Sequence, residues 1–273
     1  MGNNVTDGEK PLSKLLQEIR RRIIRISISV IIVISICMTM SITIYNFGGY
    51  KIPILYPDSI HNISNQIISF MKDTLLPKSV VLIQVTPGQA FSAQIHVAII
   101  MGLIVSLPIM FREILAFVVP ALHSQERRVI KNIIFPAMIL FVAGCFFSYC
   151  FVLPYTIEFL YKYGQSMDVA SFFEITQFIS FSMMLLLISG FSYQFPLLIW
   201  VLTKTKVVKP RFWRKNMGYI IIILVLFGAF ITPDGSGVTM WFVIGPMLLL
   251  YIIGTLVVEL RLGSSFSENT MIS

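Results

Sequence analysis

The stretch that decides the fold is RRRIIRISISVIIVISICMTMSITIY, residues 20–45. Its apolar part, Ile23 to Tyr45, is long enough as a helix to cross a bilayer at ~1.5 Å per residue. Arg20, Arg21 and Arg22 in front of it resemble the opening of an export signal. The run is too long for a signal-peptide core, however, and no small-residue cleavage site follows. It reads as a retained first membrane helix with a basic flank. Composition agrees along the whole chain. The 273 residues are 56% hydrophobic and 12% charged, with mean hydropathy +0.83. A soluble domain carries about twice that charged fraction.

Five more apolar segments follow. Spans are expected over 23–45, 93–118, 132–153, 175–203, 217–231 and 238–258, the last two short. Together they make an all-α polytopic membrane domain over 23–258, with an arm at 1–22 and a tail at 259–273. The stretch from Asn46 to Gln89 holds Pro53, Pro57, Pro77, Pro87 and Gly48-Gly49, so it is no continuous helix. Residues 63–71 repeat apolar side chains at helical spacing and suggest a short interfacial helix. Pro233 and Asp234 lie in Thr-Pro-Asp-Gly-Ser-Gly, a tight-turn signal that joins the last two spans as a hairpin. No internal repeat is visible.

The net charge of +8 could mean nucleic-acid binding or membrane topology. The distribution favours topology. With both chain ends on the cytoplasmic side, 17 of the 21 Lys and Arg fall on that side. Fifteen of them lie in the N-terminal stretch up to Arg25, the second–third loop and the fourth–fifth loop, and Arg112 and Arg261 are the other two. This is the positive-inside pattern, and it removes the need for a nucleic-acid partner. Cys37, Cys145 and Cys150 lie in apolar runs, with no metal-ligand spacing and no pair placed to bridge. No hydrolase or metalloprotease motif and no paired carboxylates at bilayer depth mark an enzyme. No cofactor or metal is expected.

Polar groups at depth are costly and attract a functional reading. Four stand out: His96, Gln194 beside Pro196, and Arg112 with Glu113 near the inner end of the second span. Pro108, Pro136, Pro196 and Pro246 fall within spans and kink them. The kinks either give simple curvature or shape a concave face for a partner. Glu126 sits among basic residues in the second–third loop. It is either a solvated ion pair of roughly 0–1 kcal/mol or a carboxylate matched to a ligand's guanidinium.

The string AFVVPALHSQERR, residues 116–128, resembles the first cytoplasmic loop of the TatC family of twin-arginine protein translocases. The family pattern A-F-x-x-P-x-L-x-x-x-E-R-R is matched at every fixed position. Leu16 to Arg22 is similar to the family's H-L-x-E-L-R-x-R. Phe151 to Pro154 and Ile231 to Asp234 are similar to the end of its third span and to the turn before its sixth. The resemblance implies a core receptor and scaffold that binds twin-arginine signal peptides. It also implies single-span TatA/TatB-type partner subunits and assembly of several copies in a Tat complex. Folded proteins would be exported across the cell membrane by the proton-motive force. Carried over, Glu126 would accept a signal-peptide arginine and Phe117 would pack beside it. Glu18 and Arg20 would complete the surface. Gln194 stands where many members carry Glu, and Leu15 where many carry His. The first outer loop is long, which together with the Ile/Ser/Lys bias suggests an archaeal-type member. A secondary transporter of small solutes is the alternative reading. It would need coupled ionisable groups at the midplane, and the sequence offers few.

Overall fold

The computed structural model describes residues 12–47, 50–77, 80–118, 133–167, 172–205, 207–231 and 237–268. Helix α1 (Leu12–Thr39) gives way to a hairpin of β1 (Met40–Phe47) and β2 (Tyr50–Pro57). Then come α2 (Ile63–Leu75), the short strand β3 (Val81–Ile83) and α3 (Gln89–Val118). Helix α4 (Ile134–Phe147) runs through one π-turn, Ser148–Val152, into α5 (Leu153–Gln165). Strand β4 (Phe172–Glu174) leads into α6 (Ile175–Ser192) and α7 (Phe195–Lys204). Helices α8 (Pro210–Lys215), α9 (Met217–Ile231) and α10 (Val238–Glu268) complete the described chain.

Among the described residues, five helical stretches are long and apolar enough to cross a membrane, and Met217–Ala229 is a shorter sixth. The bundle therefore has the expected six-span polytopic fold. Its spans alternate in direction. The start of α1 lies against the end of α3, through Arg22 and Glu113. The end of α1 lies against the start of α3, through Asn62, which reaches both Met38 and Gln94. The end holding the first residues of α1 is called proximal, and the hairpin end distal.

Several helix limits differ from the expected spans, each for a local reason. The first apolar run stops being helical at Thr39. The segment from Met40 onward alternates Ser and Thr with Ile, a period that suits a strand, and it pairs antiparallel with β2 from Met40↔Pro57 to Phe47↔Tyr50. Gln66 fixes how the hairpin sits. Its side-chain amide donates to Ile42 O at 3.1 Å and accepts from Ile42 N at 3.4 Å. The main-chain groups of Ile42 therefore point away from β2. By the two-residue period, Pro53 and Pro57, which stand opposite Ile44 and Met40, turn their missing N–H to the outer edge of β2. Proline thus costs the ladder nothing and leaves that edge poor in donors.

The third span does not end at Pro154. Leu153 N donates to Ser148 O across the wider π-turn, and Pro154 then takes a first-turn position in α5, where its missing donor does no harm. The fourth span is broken at Tyr193 and Gln194, with Pro196 in the first turn of α7. The last helix runs on through 259, where a tail was expected, to Glu268. All three cysteines are free.

Small residues set the closest approaches. A Cβ on Gly190 would lie 2.6 Å from the Phe141 ring, and one on Gly144 2.8 Å from Ser189 O. Glycine at both positions lets α4 and α6 pack backbone to backbone. Gly102 brings α3 close to α1, where a Cβ would lie 3.0 Å from the Ile34 side chain and 3.3 Å from Val30. Apart from that seam α1 is poorly covered, and Ile24, Ile28, Ile31 and Ile32 are exposed on its surface.

Candidate functional site at the proximal end

Among the described residues, the proximal ends of α1 and α3 carry a charge network of four side chains. Residues 18, 22 and 25 of α1 fall one turn apart, so Glu18, Arg22 and Arg25 share the face turned to α3. Arg22 Nη2 donates to Glu18 Oε1 at 2.5 Å. Its Nη1 donates to Glu113 Oε2 at 3.1 Å and to the Glu113 carbonyl at 3.2 Å. Arg25 Nη1 donates to Glu113 Oε1 at 3.3 Å. Two carboxylates and two guanidiniums thus balance in charge. Their surroundings differ: the Glu113 side chain is 8% exposed and that of Glu18 is 32% exposed. A buried carboxylate is tolerable only when paired and hydrogen-bonded, and Glu113 has both of its oxygens so engaged.

Of the residues singled out from sequence, Glu18 stands in this network, while Arg20 is exposed on α1. Phe117 is in the last turn of α3, and its side chain lies outside the described residues. Glu126 in the second–third loop, and Pro233 and Asp234 in the turn before α10, also lie outside them. Arg112 is exposed, so of the pair at the end of the second span it is Glu113 that faces α1. Arg22, Arg25 and Glu113 were not assigned to the site. Arg22 and Arg25 passed as topology signals. The available cue was a lone carboxylate in the apolar α3, a residue that has to find a cation.

Gln194 caps the break between α6 and α7. Its Nε2 donates to Ala137 O of α4 at 3.0 Å. Its Oε1 is buried and finds no partner among the described residues. An amide here ties the broken span to its neighbour and leaves one acceptor directed into the bundle.

A third feature of the proximal end is the α8 corner. Trp213 Nε1 donates to Thr203 Oγ1 at 3.0 Å, and the buried Tyr251 donates its hydroxyl to Trp213 O at 2.6 Å. These bonds pin the basic segment Lys209–Lys215 beneath α10. Arg214 also reaches Glu259 at 3.6 Å.

The family model for the Sec-independent protein translocase protein TatC matches residues 14–246. The chain belongs to the TatC family. A Sec-independent protein translocase protein TatC of Cenarchaeum symbiosum is 43% identical over 93% of this chain and 96% of its own length. The chloroplastic TATC of Arabidopsis thaliana is 31% identical over 72% of this chain and 58% of its own length. A crystal structure of the twin-arginine translocase receptor TatC superposes with a TM-score of 0.72 at 26% identity. It covers 90% of this chain and 98% of that one. Membership of the TatC family makes this chain a multi-pass membrane component of the twin-arginine translocation system. Neither the relatives nor the family model supports a small-solute transporter.

Proposed function

We propose that this chain is the receptor subunit of that system, reading the paired arginines of export signals at its proximal end, without enzymatic chemistry of its own. The observation that carries this is Glu18. It is a part-exposed carboxylate held by α1 beside the end of α3, the helix whose following loop carries Glu126. One carboxylate at that end and a second in the loop that follows α3 suit two guanidiniums, each of which matches a carboxylate in a forked geometry. In this reading Glu126 and Glu18 accept the arginines, Phe117 packs against the apolar part of the signal, and Arg20 borders the surface. The proximal end faces the cytoplasm, as the distribution of Lys and Arg requires. Residues 1–22 and 259–273 then belong to that side, and Pro233–Asp234 turn at the opposite face. Gln194, tied to the Ala137 carbonyl, is the polar group of the membrane interior in this reading. Single-span TatA/TatB-type subunits and further copies of this chain complete the working complex.

The test is photo-crosslinking of a twin-arginine signal peptide to the full chain in membranes. Glu126→Ala and Glu18→Ala should each remove the crosslink while membrane insertion stays normal. Crosslinking at the wild-type level in both variants would refute the assignment.

A further inference from the structure

Arg22 faces two carboxylates that are not equivalent. One arm of its guanidinium lies on Glu18, and the other lies on the side chain and carbonyl of Glu113. Glu113 is buried and needs its cations. Glu18 is reached by water and can exchange its partner at little cost. We propose that Arg22 is a resident competitor for Glu18, retained by Glu113 when an arginine from an incoming signal peptide takes its place. This rests on the reading of Glu18 as a recognition carboxylate.

The exchange conserves bonds. One guanidinium N–H leaves a Glu18 oxygen and another arrives. Arg22 keeps its two bonds to Glu113, and Arg25 holds the second Glu113 oxygen at 3.3 Å throughout. No buried charge is stranded. The arrangement also sets a threshold. An arriving cation must displace one Arg22 N–H from Glu18, whether it is an arginine or a lysine. Arg22 therefore raises the threshold for both by the same factor, and Glu113 acts as the positioning residue that keeps Arg22 available but weakly committed.

The test uses the full chain in lipid nanodiscs and two fluorescent synthetic signal peptides, one with paired arginines and one with the pair changed to lysines. Arg22→Gln should tighten binding of both peptides about threefold, the scale of one exposed ion pair, and leave the ratio of their affinities unchanged. Arg21→Gln removes the same charge from an exposed position on α1 and should move both peptides much less. Glu113→Gln should weaken both, because Arg22 then falls back entirely on Glu18. The double variant Arg22→Gln with Glu113→Gln should bind as tightly as Arg22→Gln alone. Arg22→Lys, which keeps the charge, guards against misfolding of Arg22→Gln and should tighten both peptides less than Arg22→Gln does. The exchange is overturned if Arg22→Gln matches Arg21→Gln on both peptides, or if Arg22→Gln and Glu113→Gln move affinity in the same direction. Wild-type affinity in Glu18→Gln would instead overturn the recognition role of Glu18 itself. Loss of binding there, together with equal Arg22 and Arg21 variants, would overturn the exchange alone.

Discussion

The two ends of the α1–α3 pair are fastened by opposite chemistry. At the distal end the fastener is neutral and dry. Asn62 is fully buried, and its Oδ1 caps α2 by accepting from Asn65 N at 2.9 Å. Its Nδ2 donates to Met38 O at 3.2 Å, Ser59 O at 3.1 Å and Gln94 Oε1 at 2.9 Å. One amide thereby joins the end of α1, the chain leaving the hairpin, α2 and the start of α3. At the proximal end the fastener is ionic, and one side of it is wet. A saturated buried amide has no low-cost alternative partner, so it fixes structure. A guanidinium shared between a buried and a part-exposed carboxylate has one bond it can give up. The distal end is built to hold and the proximal end to exchange.

That contrast can be broken from either side. The largest effect is expected at the distal end. Asn62→Ala removes the α2 cap and strips a partner from three acceptors, a loss of about 3 kcal/mol. Denaturant unfolding in detergent micelles measures it, and the loss should not change with salt. Glu113→Ala should cost less, about 2 kcal/mol, because water already reaches part of the network. Its loss should shrink at ~1 M salt, which screens the repulsion left between Arg22 and Arg25. Equal losses at low and high salt would place the proximal end in the same class as the distal one.

The smallest effect concerns pH. In the turn before Asn62, the backbone N–H groups of His61 and Ile60 hold the Asp58 carboxyl below its ordinary range. A depressed folded-state value means that this contribution is present above the unfolded value and is lost as pH falls through the folded one. Acid should therefore loosen this turn only below the usual aspartate range, and Asp58→Asn should abolish the step. Amide exchange at Ile60 and His61 reports it. A transition nearer neutral pH would rule out the Asp58 carboxyl as its cause.

The site was only partly visible before the fold was known. Glu18 was singled out through the motif around it, and its neighbours Arg22 and Arg25 were visible only as positive charges. Their partner Glu113 is 91 positions away from Arg22, and no local pattern connects them. Gln66 and Asn62 gave no signal either, since a polar residue in a loop or at a helix start is ordinary. Their importance comes from what the hairpin and α3 bring against them.

The sequence by itself determined the solvent and the crossings. Six apolar runs have nowhere to hide in water, and each satisfies its own backbone as a helix in lipid. It also marked Pro196, where the fourth span breaks, because proline lacks a backbone donor wherever it stands. The tertiary structure decided which end of the first apolar run becomes a strand, how the third span continues past Pro154, and which carboxylate meets which arginine. These depend on pairings between residues far apart in the chain, and their energies exist only once the helices are packed.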